Sequence, residues 1–188
     1  ESLPGAGRSA YELLDALGRP GGPRALLVLG SNIVVSAPRA GHVAERLEAL
    51  DLLVVCDLVM SETAALADVV LPVTQWAEET GTMTNLEGRV VLRQQAVPPP
   101  TGVRSDLEVI AALAERVGSP VPFSADPEEV FAELGRASAG GRADYSGITY
   151  DRIREEPGVF WPCPATDPAD AGAAPHPGTP RLFGDAFA

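Results

Sequence analysis

The chain has 188 residues, a formal net charge of −12 and a mean hydropathy of +0.07, enough length and apolar content for one packed domain or somewhat more. The charge excludes a nucleic-acid or anionic-membrane surface, since polyphosphate needs a basic patch. It leaves room for a single anionic cofactor held by backbone N–H groups and helix N-termini.

The N-terminal run "ESLPGAGRSAYELL" has no start Met and begins in a loop, so it reads as a cut from something longer. No signal peptide opens it, and no apolar run approaches the roughly 18 residues a membrane span needs, so a cytoplasmic location is expected. In "SAYELLDALG" Ser9 is an N-cap, Glu12 completes a capping box and Gly18 is the stop. "ALLVL" (25–29) is a short apolar run bounded by Gly, as in a parallel strand buried on both faces. "GHVAERLEAL" (41–50) places Val43, Leu47 and Leu50 on one helical face, and "LLVVC" (52–56) and "DVVLP" (68–72) are two further buried strands. This order predicts an α/β domain with a parallel sheet and flanking helices.

After Pro72 the character changes. "TMTNLEGRVVLRQQAV" predicts a hairpin, with Asn85 to Gly88 as its turn and Val90 to Arg93 as the return strand. "SDLEVIAALAERVG" (105–118) is a helix with a Ser105/Glu108 capping box. "DPEEVFAELG" (126–135) is another, with Asp126 as N-cap and Pro127 at N1, and "ITYDRIREE" is a third. From Pro157 onward no period of 2 or 3.6 survives. The expected organisation is an α/β domain over 1–120, a helical extension over 121–156 and an extended Pro-rich arm over 157–188. Residues 164–178 of the arm are expected to be mobile, and Phe160, Trp161 and Phe183 to need burial against something outside it.

In open α/β sheets ligands sit outside the carboxyl ends of the strands. Three polar clusters fall there: "GSN" (30–32), Cys56 and Asp57 with "SET" (61–63), and "QWAEETGTMTN" (75–85). Gly30 lets a ligand approach the backbone, Asn32 can donate and accept, and Asp57 can take two N–H groups from a guanine edge or bond a ribose. That is a nucleotide-like site without G-x-G-x-x-G. Each residue also has a plainer reading. Cys56 can be a buried filler, Asp106 a helix-dipole carboxylate, and Glu78 and Glu79 solvated charges. Cys56 and Cys163 form no CxxC, which argues against an iron–sulfur or zinc site in this chain. His42 and His176 have no neighbours at ligand spacing, and there is no Ser-His-Asp order and no P-loop, so no catalytic residue and no metal ligand is assigned.

Together, "LLVLGSNIVVSAP", the run from "LDLLVVCDLVMSETAALADVVLP" through "QWAEETGTMTNLEGRVVLRQQAVPPPTGVRSDLEV", and "FWPCP…HPGTPRLF" resemble the molybdopterin-dependent oxidoreductases of the dimethyl-sulfoxide-reductase superfamily, most of all the assimilatory nitrate reductase large subunits. The related formate dehydrogenases share much of the pattern. The resemblance implies a Rossmann-like, three-layer α/β domain that grips one arm of a molybdenum bis-molybdopterin guanine dinucleotide cofactor. It also implies a 4Fe-4S cluster bound elsewhere in the longer parent, and as partners the parent's remaining domains and an electron-donor protein or subunit. Asn32, Cys56, Asp57 and Asp106 match the family's dinucleotide-contacting positions, with Gly30 and Ser31 completing the first turn. Glu79 stands where a related nitrate reductase group has Lys, and Thr82 and Asn85 lie in the same polar run. The resemblance implies nitrate reduction to nitrite in the parent. A formate dehydrogenase-type enzyme, or a non-catalytic nucleotide-binding or assembly domain, is the alternative. The chain by itself is expected not to reduce nitrate.

Overall fold

The computed structural model describes residues 5–166 and 174–179. The chain divides into two compact units: a sheet unit of Pro4–Gln75 with Pro99–Asp106, and a hairpin unit of Trp76–Pro98 with the chain from Leu107 onward. This differs from the boundary expected at residue 120. The hairpin shares its core with the C-terminal helices, so it leaves the α/β unit that precedes it in sequence.

In the sheet unit, helix α1 (Ala10–Ala16) starts with the predicted capping box, Glu12 N–H donating to Ser9 Oγ and Ser9 N–H to the Glu12 carboxylate. Gly18, at φ +64°, follows its C-cap Leu17. An alanine there would place its Cβ 2.6 Å from Ala49, so the stop is also a site of close approach. Strand β1 (Ala25–Leu29) is followed by the short helix α2 (Ile33–Ser36), by α3 (Ala40–Glu48), and by strands β2 (Leu52–Asp57) and β3 (Val69–Pro72). The sheet is parallel, in the order β1-β2-β3, with Val28 opposite Val55 and Val54 opposite Val69. Its core is Leu17, Val28, Val43, Leu47, Leu53, Val55 and Ala64. Each fully buried aliphatic side chain there contributes about 1.5–3 kcal/mol.

Those core residues lie on one face of the sheet. On the other face Leu27 and Leu29 are each 40% exposed, and Leu52 and Val69 each 42%. The strands are therefore parallel, as predicted, but not buried on both faces. Burial of a strand's second face depends on what lies across from it, which the strand's own residues do not encode.

The hairpin unit contains β4 (Gly81–Thr84), β5 (Arg89–Arg93) and β6 (Val159–Phe160), paired antiparallel in the order β4-β5-β6. Helix α4 (Asp106–Arg116) ends before Gly118, which has φ +72°. Helix α5 (Pro127–Ser138) has Asp126 as N-cap, accepting from Glu128 N–H, and α6 (Tyr150–Glu155) has Thr149 in that role. α5 runs past Gly135, where the sequence suggested an end, and stops before Gly140 at φ +74°. The core joins the two parts: Val90 and Val159 pack with Phe131, Ile148, Tyr150, Ile153 and Cys163.

Two of the three arm aromatics are half-buried against other residues of the chain. Trp161 packs against Tyr145 with ring centroids 5.5 Å apart, and the Arg89 guanidinium lies 4.4 Å from the Phe160 ring centroid. Phe183 and residues 167–173 of the stretch expected to be mobile lie outside the described residues. Described residues in and just beyond that stretch make hydrogen bonds to the rest of the unit. Ala165 N–H donates to Ser146 Oγ (2.9 Å), and Thr179 Oγ1 donates to the Pro162 carbonyl (2.7 Å).

Candidate functional site at the carboxyl edge of the parallel sheet

The first residue after β1 is tied to the end of β2. Gly30 N–H donates to the Cys56 carbonyl at 2.9 Å. Gly30 has φ +55°, and the space where a side chain would begin is open to 4 Å, so a ligand can reach this backbone. Ser31 follows, half-buried, and leads into Asn32, the N-cap residue of α2. The Asn32 side chain does not cap that helix. It reaches across to the loop after β2, with Thr63 Oγ1 and Thr63 N–H donating to Oδ1 (2.9 and 3.3 Å) and Nδ2 donating to Glu62 (2.6 Å).

Cys56 is fully buried. Burial first, and the Asp106 carboxylate second, push its thiol above the ordinary range. It is therefore a neutral thiol whose contribution to the edge is its carbonyl. Asp57 is half-buried. Its Oδ1 accepts from Leu58 N–H (2.8 Å) and its Oδ2 from Ser61 Oγ (2.7 Å). A carboxylate has about four acceptor positions, so Asp57 keeps capacity for a ligand's N–H or hydroxyl groups. Asp106 opens α4 and belongs to the same unit. Gly30, Ser31, Asn32, Cys56, Asp57 and Asp106 thus all lie in the sheet unit.

The other three candidates belong to the hairpin unit. The Glu79 carboxylate accepts from Arg93 Nη2 (3.1 Å), while Arg93 Nη1 donates to the Glu79 carbonyl (2.8 Å). The charge where the related group has Lys is thus balanced inside the unit. Thr82 stands opposite Leu92, on the face that carries the buried Val90. The Asn85 side chain shapes the turn, its Oδ1 accepting from Glu87 N–H and Arg89 N–H, both at 3.0 Å. Glu87 pairs with Arg89 at 3.4 Å, the turn with an Arg–carboxylate pair that "EGR" suggests.

Glu62 and Thr63 were visible in the sequence only as part of a polar "SET" run. Their pairing with Asn32 spans about 30 residues and depends on the β1–β2 register, which no local signal carries. Among the described residues no cluster of three or more His, Cys, Asp or Glu side chains could hold a metal ion. No helix among them is long and apolar enough to cross a membrane.

A parallel α/β unit with open backbone and carboxylates at its carboxyl edge defines a class of fold whose ligands bind at that edge. The chain belongs to the molybdopterin oxidoreductase family, whose family model matches residues 6–116. It is 44% identical over its whole length to the assimilatory nitrate reductase catalytic subunit of Bacillus subtilis (strain 168), covering 25% of that protein. It is 38% identical, over 98% of its length, to the F420-dependent formate dehydrogenase subunit alpha of Methanocaldococcus jannaschii, again covering 25%. The chain therefore spans about a quarter of the length of these curated relatives. Acetylene hydratase from Pelobacter acetylenicus shares the fold over 78% of this chain and 20% of its own, at a TM-score of 0.59 and 24% identity.

Proposed function

We propose that this chain is a segment of the catalytic subunit of a molybdenum bis-molybdopterin guanine dinucleotide oxidoreductase that reduces nitrate to nitrite, and that it contributes part of the dinucleotide-binding site. The observation that carries the reading is the 44% identity to an assimilatory nitrate reductase over the chain's full length.

The donor set at the sheet edge fits the nucleoside end of such a cofactor. Asp57 offers acceptors to a guanine N–H edge or a ribose, Asn32 offers a donor, and the open backbone at Gly30 accepts close approach. Asn32, Asp57 and Asp106 would hold the cofactor here, with Gly30, Ser31 and Cys56 forming the backbone floor. Glu79, Thr82 and Asn85 are the lesser candidates, since the side chain of Glu79 is paired and that of Asn85 is used in its turn. When bound, the group supplies two-electron oxygen-atom chemistry, NO₃⁻ + 2 e⁻ + 2 H⁺ → NO₂⁻ + H₂O. No residue of this chain is assigned a proton or electron transfer. A 4Fe-4S cluster and an electron-donor protein belong to the longer enzyme, which this reading places in the cytoplasm, and the 188-residue chain alone does not turn over nitrate.

The second reading, a formate dehydrogenase-type enzyme, rests on the 38% identity to the Methanocaldococcus subunit. Nitrate reduction and formate oxidation assayed side by side on the full-length enzyme separate the two. Nitrite production without formate oxidation is expected, and formate oxidation alone would replace the first reading by the second.

A further inference from the structure

The carboxamide of Asn32 is held from both sides. The fully buried Thr63 gives it two donors, Oγ1 at 2.9 Å and N–H at 3.3 Å, both to Oδ1. Glu62 accepts from Nδ2 at 2.6 Å. These partners fix which end of the amide is which. A backbone N–H can only donate, so it must meet oxygen, and an ionised carboxylate can only accept, so it must meet NH₂. Thr63 Oγ1 also accepts from Val34 N–H at 3.1 Å, so its own hydrogen is committed to Asn32. Glu62 is exposed, and the hydrogen bond from Asn32 holds its carboxyl below the ordinary range.

Counting lone pairs and hydrogens gives the consequence. Oδ1 already takes two bonds, which fills it. Nδ2 carries two hydrogens and spends one on Glu62. What Asn32 can still offer a ligand is one N–H.

We propose that Glu62 is a positioning residue for dinucleotide capture. By taking one Nδ2 hydrogen, it holds Asn32 as a single N–H donor aimed at an acceptor atom of the cofactor, a base carbonyl or a sugar or phosphate oxygen. This rests on the reading of Asn32 as a cofactor contact. It explains why an exposed carboxylate stands beside a site for an anionic group: its role is to orient the amide.

The test compares Asn32→Ala, Glu62→Ala and Glu62→Gln in the full-length enzyme, measuring guanine retained per protein after gel filtration together with the thermal midpoint. A Gln at 62 can still accept from Nδ2 through its carbonyl oxygen. Asn32→Ala and Glu62→Ala are expected to lower retained guanine by about tenfold, with Glu62→Gln restoring most of it at a similar midpoint. If Glu62→Ala retains guanine fully while Asn32→Ala loses it, the positioning role is wrong and the reading of Asn32 stands. If Glu62→Gln does no better than Glu62→Ala, or retention merely follows the midpoint, the orienting role is also overturned. If Asn32→Ala itself retains guanine fully, the reading of Asn32 as a contact fails first.

Discussion

Asn32 and Asn85 both stand beside a strand end, and they are spent differently. Asn85 accepts from Glu87 N–H and Arg89 N–H and so closes the β4–β5 turn, leaving Gly88 at φ +82° to complete it. Asn85→Ala removes the shared acceptor of two backbone donors and is expected to cost about 1 kcal/mol, read from chemical denaturation. A loss near zero would mean that water replaces both bonds. Asp144 illustrates the same economy with a charge. Burial raises its pKa, but hydrogen bonds from Ser146 Oγ and from the N–H groups of Ser146 and Gly140 outweigh burial, and the net shift is downward from 3.8. A depressed folded-state pKa means that the stabilisation is fully present above the unfolded value and is lost as pH falls through the lower folded one. Asp144→Asn should therefore lower the thermal midpoint by a constant amount above about pH 5, with the gap to the unsubstituted chain closing below pH 3.8. A gap that stays constant down to the lowest pH would contradict this.

Among the elements, those with local signals were legible. The Ser9/Glu12 capping box, the Asp126-Pro127 helix start and the apolar runs of β1, β2 and β3 each announce themselves within a few residues. The two-residue β6 was not legible, because two residues show no period. Nor was the passage of α5 through Gly135, where the backbone of Tyr145 and Ser146 comes to 3.6 Å of a would-be Cβ and a small residue suits the packing. The open sheet face was illegible for a deeper reason. Leu29 and Val28 look alike in sequence, yet one is 40% exposed and the other 6%. The physical difference is testable. In the 188-residue chain Leu53→Ala, at a site 1% exposed, should cost about 2–5 kcal/mol. Leu29→Lys should stay within about 0.5 kcal/mol. Equal losses in a denaturant titration would show that the two faces are alike in solution.

At the scale of the whole molecule, the candidate residues fall into two groups, one in each unit. Asn32, Asp57 and Asp106 belong to the sheet unit, and Glu79, Thr82 and Asn85 to the hairpin unit. The polar clusters at the strand ends were legible because a parallel sheet dictates where its ligands sit. Which of their atoms remain available was not legible, since that depends on pairings such as Asn32 with Glu62 and Glu79 with Arg93, made between residues distant in sequence. The chain belongs to the molybdopterin oxidoreductase family, and the proposal to be tested is that its longer parent holds molybdenum and a guanine dinucleotide, with this edge contributing to the site. The direct measurement is molybdenum by elemental analysis and guanine released by acid hydrolysis, on the same purified full-length enzyme. The account predicts both, present in a constant ratio across preparations and lost together when Asp57→Ala is introduced. Molybdenum without guanine, or neither in an enzyme that still reduces nitrate, would contradict it.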